Sequence, residues 1–551
     1  MNVGEWVFNA GAPNYNFTIR SDGTFITTLT FVGGGIMLNG DSVSITVTPT
    51  SGIAFINTSS ASSANIVDNG TMTLSDFSTL GSASVTVEFA GNKNSRMDFS
   101  QQSSAGNATI TNDNALFFFD NSSAGNAQIT NNTNPSHSYT MEFFGHSSAD
   151  NATIVNYAVL DFFETSTAGN AIIDTLAGGI TLFEDNSDGA NAQFTTDSAS
   201  TVDFSQSSGP RGNDRLTVGS IAGAGTYHLG ADQLTVGSGD VSGLIDGNGG
   251  SLAKVGPGTL TLSHSGNTFS GGISVQQGVL DLAAVGAAGT KAITLSGIAE
   301  LKIENAALSG NVFAPVVQGF APGDTVDLPG LPFAPGAFAS YDPSLHTLSV
   351  TSGAATIGLE NLETTGTDLQ FVVLGDHTGG SRVMLATIAT AKHELVDAKH
   401  HPPGQPPLTN GFNVIVAEGA NETIKPPGGN NTEVARGRGD ILVDSGPGDS
   451  FVFESLKASP PGHPDEIVGF KHPFGDLIDL YDLRALLPGD QPLVFIGGQT
   501  FAHYHHTHHS VFGMVRYSHG LVEVNVNHHL TNEFEIVMHG APAVHVGDFI
   551  L

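Results

Sequence analysis

Short apolar runs return at a steady interval through the first two hundred residues. They are Leu116–Phe119 followed by Asp120, Phe143–Phe144, Leu160–Phe163 with Asp161 inside, and Leu182–Phe183. Each follows a small, polar phrase: SSAGNATI at Ser103–Ile110, SSAGNAQI at Ser122–Ile129, SSADNATI at Ser147–Ile154, STAGNAII at Ser166–Ile173 and DGANAQF at Asp188–Phe194. SSAN at Ser62–Asn65 reads as an earlier copy and GSASV at Gly81–Val85 as a degenerate one. A period of about 19 to 25 residues is one coil of a parallel β-helix. The asparagines at 65, 107, 126, 151, 170 and 191 then predict an amide ladder from coil to coil. The phenylalanines predict a stacked core column.

The phrasing changes from about Gly219. Gly250–Leu282 reads GSLAKVGPGTLTLSHSGNTFSGGISVQQGVLDL. Leu252, Lys254, Gly256, Gly258, Thr259, Leu260, Leu262, Asn267, Thr268, Phe269, Gly271, Gly272, Val275, Gly278 and Leu280 resemble the passenger-associated β-strand repeat of autotransporters and large adhesins. The resemblance implies a structural solenoid element: glycines in turns that need positive φ, alternating Leu and Val facing a core. A further β module follows, with GFAPGDTVDL at Gly319–Leu328 and alternating strands at His346–Val350, Thr356–Leu359 and Leu369–Leu374. It resembles modules of large secreted repeat proteins of soil bacteria. Residues 391–418, with AKHELVDAKHHPPGQPPL at Ala391–Leu408, read as a proline- and charge-rich linker.

Beyond Gly419 a nonapeptide rhythm sets in. Glu422, Asn431, Asp440 and Asp449 stand nine apart, and Ile424, Leu442 and Phe451 each follow one of them by two. In the calcium nonapeptide an Asp and an inward apolar residue hold that relation. Asn431, Asp440, Asp444, Asp449, Asp476 and Asp479 are therefore the candidate calcium ligands. The phrases DSFVF at Asp449–Phe453, PDEIVGF at Pro464–Phe470, GDLIDL at Gly475–Leu480, PLVFIG at Pro492–Gly497, VRY at Val515–Tyr517, EFEI at Glu533–Ile536 and terminal GDFIL at Gly547–Leu551 resemble the C-terminal β-roll and secretion domain of serralysin-type proteins. The resemblance implies folding on calcium and an uncleaved signal, here Asp548, Phe549, Ile550 and Leu551, read by the ABC transporter of a type I secretion apparatus. The chain departs from that family at Asn525–Glu533, where most carboxylates of a family calcium site are missing, and at Gly469, where an Asp is usual.

Charge and composition sharpen this picture. Eighteen Lys plus Arg against 52 Asp plus Glu give a net charge of −34. That disfavours nucleic acid and anionic membranes and suits divalent cations. With no cysteine, disulfides and thiolate metal sites are excluded. The first twenty residues lack the basic start and apolar stretch of a signal peptide, and no run is long and apolar enough to span a bilayer.

Candidate chemistry is sparse. The stretch from His393 to Asp397, with His400 and His401 after it, has Asp where the zinc-protease motif needs its second histidine. A tract with His503, His505, His506, His508 and His509 has the composition of a transition-metal binder; on a strand, His503 and His505 would share a face. Asp120, Glu142, Asp161, Glu164, Glu184 and Asp185 recur at similar repeat positions, the raw material of a glycosidase or lyase. The expected fold is all-β: a right-handed parallel β-solenoid over 1–218, continued by the passenger-type repeat over 219–300. A β module at 301–390 and the 391–418 linker follow, and then a β-roll with a β-sandwich-like cap over 419–551. The expected role is extracellular and non-enzymatic, structural or adhesive, toward glycans, cell surfaces or other copies of the chain. The alternative is a carbohydrate-active enzyme.

Overall fold

A computed structural model describes every residue except 12, 22–26, 41, 90–94, 134–140, 365–368, 490 and 509–511. The chain is almost entirely β, with 46% strand and 4% helix, and forms parallel solenoid coils. It divides into two compact units, Met1–Ile293 and Thr294–Leu551.

In the first unit, successive coils place their strands in register. A 12-stranded parallel sheet runs from Asn2–Phe8 to Ile245–Asp246, each strand pairing with the equivalent strand of the next coil. A second parallel ladder includes Thr109–Asn112, Gln128–Asn131, Thr153–Asn156, Ile172–Thr175 and Gln193–Thr196. Alternation of side chains decides which face each residue takes. In Thr109–Asn112, Ile110 and Asn112 point inward and are fully buried, whereas Thr109 is exposed. Between the ladders, single bridges join Ser60, Thr79, Ser104, Ser123, Ser148, Thr167 and Asp188 in one column. In six of these, Ser60 to Thr167, the hydroxyl accepts the N–H two residues on, as in Ser104 with Gly106 at 3.0 Å. That turn needs positive φ, which explains the glycines at 81, 106, 125 and 169; Ser62, Asp150 and Ala190 hold it at φ 57°, 50° and 51°.

The phenylalanine column forms as expected. Phe99, Phe118, Phe143, Phe162, Phe183 and Phe204 are fully buried. Their centroids lie 4.6–5.0 Å apart with interplanar angles from 5° to 20°. Coil spacing sets this distance, so every repeat that supplies a Phe extends the stack. Two amide ladders run beside it. The expected one links Asn107, Asn126, Asn151, Asn170 and Asn191 through side-chain bonds of 3.0–3.3 Å. Asn65 does not join: it pairs with Ser84, which pairs with Thr109. The true counterpart of the repeat phrase begins at Ser59, and Ser82 takes the Asn place in the degenerate copy. The second ladder, Asn112–Asn131–Asn156, is wholly buried, with 2.8 Å links.

The passenger-type stretch makes physical sense of its motif. Lys254 is completely buried, and its Nζ donates to the carbonyls of Val255, Gly256 and Gln277 at 2.9, 2.8 and 3.0 Å. A Cβ on Gly278 would stand 2.5 Å from the Gly256 carbonyl and 2.8 Å from that Nζ. Asn267 ties neighbouring coils, accepting from Ile245 N and donating to Ala287 O. The strand Arg215–Gly223 runs through the boundary expected at 218/219, because the new phrasing changes turns without interrupting the ladder.

In the second unit, Phe338–Asp342, Thr347–Ser352 and Ala355–Leu359 make an antiparallel meander. Gln370–Gly375 and Ser381–Ala389 form a hairpin. Parallel coils then resume through Val414–Ala417, Thr432–Ala435, Ser450–Phe453 and Leu477–Asp479 on one side. Leu395–Asp397, Thr423–Lys425, Ile441–Val443 and Asp465–Val468 form the other. The stretch expected as a linker thus holds two coil strands, Leu395–Asp397 and Val414–Ala417. Its Gln405 side chain bonds both the N–H and the carbonyl of Ile388, so proline density here shapes a turn and not a spacer. Met514–Ser518, Leu521–Asn525 and Phe534–Met538 cap the coils as an antiparallel meander.

Candidate functional site

The nonapeptide rhythm turns out to be half a coil. Residues 18 apart stack, so the nine-residue series splits into two columns on opposite turns. In the first, Asn413 N donates to Asn431 Oδ1 at 3.0 Å, Asn431 N to Asp449 Oδ1 at 2.8 Å, and Asp449 N to Asp476 Oδ1 at 3.2 Å. In the second, Glu422 N donates to Asp440 Oδ1 and Asp440 N to Asp465 Oδ1, both at 2.8 Å. Each side chain satisfies a turn N–H of the preceding coil, which would otherwise be an orphan donor.

Burial is expensive for these acids. It pushes the Glu422 and Asp465 carboxyls up to about 8, and raises Asp440, Asp449 and Asp476 as well. Glu433, in the strand Thr432–Ala435, is fully buried and held well above its ordinary range, first by desolvation and then by Asp449. Sequence reading passed over it because one Glu in a short strand carries no spacing signal.

The six expected calcium ligands do not form a shell. Both oxygens of Asp449 accept backbone N–H groups, from Asn431 and Ser445, and both of Asp476 do so too, from Gly448, Asp449 and Lys471. Asp444 pairs with Lys471 at 2.9 Å, and Asp479 with His377 at 2.7 Å. Of the six, Asp440 alone keeps a buried oxygen without a well-formed hydrogen bond. Glu422 Oε1 and Asp465 Oδ2, in the same column, are in the same state. That column stacks its three oxygens from coil to coil without bringing them together around one point.

The histidine tract is a helix, Phe501–His508, and not a strand. His503 and His506 are therefore three apart along one face, and Tyr504 stacks on His508 at 4.1 Å; His509 lies outside the described residues. The HExxD stretch sits on a turn and the strand Leu395–Asp397, where a helical zinc motif cannot form. The tail is folded in. Asp548 is buried, accepts His545 N at 2.7 Å and is hydrogen-bonded to the His472 ring. Phe549 and Ile550 pair with Ile478 and Asp479, and Leu551 packs on the core.

The carboxylate row of the first unit separates into two kinds. Asp120 and Glu164 are turn residues with φ 57° and 55°, and each accepts an N–H of the preceding coil, Gln101 N at 2.9 Å and Gly145 N at 2.7 Å. Asp185, at φ 56°, does the same for Glu164 N at 3.2 Å. Glu142 and Asp161 stand directly opposite each other on adjacent strands. Asp161 is buried, both of its oxygens lack a well-formed hydrogen bond, and burial with nearby Glu184 and Glu142 raises it to about 8. Phe119, Phe144 and Phe163 stack beside this pair at 5.0–5.2 Å.

Residues 252–282 match the family model of the passenger-associated-transport-repeat. The matched segment is the coil organised around Lys254 and Asn267, and it points to a secreted or surface protein. No curated protein and no solved structure matches the chain. Among the described residues, no helix is long and apolar enough to cross a membrane.

Proposed function

We propose that this chain is an extracellular solenoid with a structural or adhesive role, acting as a periodic, non-enzymatic surface toward glycans, cell surfaces or other copies of itself. The observation that carries this reading is the exposed amide ladder Asn107–Asn191 beside the exposed column Thr109, Gln128, Thr153, Ile172 and Gln193. Equivalent donors and acceptors one coil apart suit a repeating ligand, where many weak contacts add as avidity. The passenger-type match supports an exported setting. The test is retention of the purified chain on immobilised polysaccharides and cells, with sedimentation to detect self-association. Binding or self-association that falls at least tenfold in N126A/N151A/N170A supports the reading; neither occurring overturns it.

The enzymatic alternative rests on the Glu142–Asp161 pair, in which one acid is held protonated near neutrality. Release of reducing ends from a polysaccharide, lost in Asp161→Asn and Glu142→Gln, would decide for it.

Two further parts of the proposal concern the last coils. Export runs through a type I apparatus that reads Asp548–Leu551 in the unfolded chain, since folding buries Asp548 in a turn and takes Phe549–Leu551 into strand and core. Calcium loads at the Glu422–Asp440–Asp465 column, whose buried oxygens it would neutralise. Fusion of residues 419–551 to a reporter in a type I-secreting strain tests the first, with loss of export on deleting Asp548–Leu551 as the expected result. Calcium titration of Asp440→Asn tests the second.

A further inference from the structure

Three side chains converge near the end of the chain, one of them the Asp548 of the folded-in tail. His472 opens the short 3-10 turn His472–Phe474 just before the strand Leu477–Asp479. His545 precedes the turn Val546–Asp548, and Asp548 closes it. The His472 Nδ1 contacts Asp548 Oδ1, the His545 Nδ1 lies 3.9 Å from Asp548 Oδ2, and the two rings are 4.3 Å apart between centroids. One donor atom from each residue lies within 4.8 Å of the others, and among the described residues this is the one group of three that does so.

We infer that His472, His545 and Asp548 form a binding site for a divalent transition-metal ion, Zn²⁺ above all. Two borderline imidazole nitrogens beside one carboxylate oxygen select zinc over calcium, which takes an all-oxygen shell. Bonds of about 2.0–2.2 Å put tetrahedral donors about 3.3 Å apart, and small side-chain rotations close the present spacing to that. Asp548 is buried and already oriented by His545 N at 2.7 Å. The two histidine side chains are 44% and 58% exposed, so the fourth position faces water and the ion has a path in. On binding, the ion takes the place of the hydrogen between His472 Nδ1 and Asp548 Oδ1; the liganding ring is neutral with its single proton on Nε2, so a neutral ring changes tautomer and a charged one releases a proton to solvent.

The consequence is mechanical. Asp548 leads directly into Phe549–Ile550, the strand that pairs with Ile478–Asp479. A metal held by His472 and Asp548 therefore staples the terminal strand to the coil it completes, in a chain without disulfides. Neither histidine belongs to the tract at 503–509, and their partner is a buried carboxylate.

The experiment uses the full chain at neutral pH, with the tract removed as H503A/H505A/H506A/H508A/H509A so that it cannot bind the probe. Zn²⁺ is titrated calorimetrically, and Co²⁺ is added as the spectroscopic substitute. One equivalent of metal, an intense four-coordinate Co²⁺ visible band and a higher unfolding midpoint with Zn²⁺ are expected. His472→Ala and His545→Ala should each weaken binding at least tenfold and abolish the band. Asp548→Asn should do the same, but it also removes a turn contact, so the histidine variants decide if it misfolds. No binding in the tract-free chain, or unchanged affinity in either histidine variant, overturns the site and leaves His472–Asp548 as an ordinary hydrogen-bonded pair.

Discussion

The middle coils of the first unit and the last coils of the second solve one problem with different chemistry. Both bury a column of polar side chains from coil to coil. Between Asn112 and Asn156 the column is neutral amide, each donating to the next at 2.8 Å. Between Glu422 and Asp465, and between Asn431 and Asp476, it is mostly carboxylate, each accepting a turn N–H. An amide is both donor and acceptor, so a ladder of amides closes on itself whatever the solution holds. A carboxylate only accepts, and must bury a charge or take up a proton or a cation. The first region is set by its sequence alone, and the second answers to its surroundings.

The largest test of this contrast removes core from the insensitive side. Phe143→Ala interrupts the stack between Phe118 and Phe162 and should cost about 3–5 kcal/mol. The loss should differ little between pH 5 and pH 8 in denaturant unfolding, since Phe143 faces the core while its strand neighbour Glu142 faces the other way. A strong pH dependence of that loss would break the contrast.

Next comes pH itself. Glu422 and Asp465 titrate near 8 when folded, against about 4 when unfolded. The folded state therefore binds the extra protons. Stability from these groups is fully present below pH 4 and is lost as pH rises through 8, the reverse of an ion-paired carboxylate. The second unit should lose several kcal/mol between pH 5 and pH 8.5 in chelator, about 4 for each group that keeps its full shift. Calcium should restore part of it, and hydrogen exchange resolved by segment would locate the change at residues 414–479.

Exchanging the two chemistries gives smaller effects. Asn131→Asp puts a carboxylate between Asn112 and Asn156 and should destabilise by about 2 kcal/mol at pH 8, less at pH 4. Asp465→Asn keeps the acceptor for Asp440 N and neutralises the oxygen that lacks a partner. It should be near neutral at pH 5 and stabilise by about 1 kcal/mol at pH 8.5. Asp161→Asn should behave likewise in the first unit above pH 8, where the wild-type acid must ionise in its buried place. Paired thermal melts at the two pH values read all three.

Much of this fold was legible in the chain because a solenoid repeats its evidence. The phrase SSAGNA marks a turn, the alternation after it marks a strand, and the interval marks the coil. Asn65 shows where such reading slips: a word match placed it in the ladder, while backbone register put it beside Ser84. The expected calcium ligands show a second limit of such reading. Sequence showed acids nine apart, but not that Asp449 and Asp476 would spend both oxygens on backbone N–H groups. The tract at 503–508 reads equally well in either period, and the helix Phe501–His508 was not separable from a strand by composition.

The sequence alone determined the architecture, the stacked phenylalanines, the exposed asparagine ladder and the passenger-type coil. Each of these depends on residues one coil apart, and nearest-neighbour physics makes periodicity sufficient. Only the tertiary structure decided which carboxylates are buried, which keep an oxygen without a partner, and that His472 meets Asp548 across 76 residues. Desolvation depends on everything that surrounds a group, and a convergence of donors depends on how distant turns stack. No spacing along the chain encodes either.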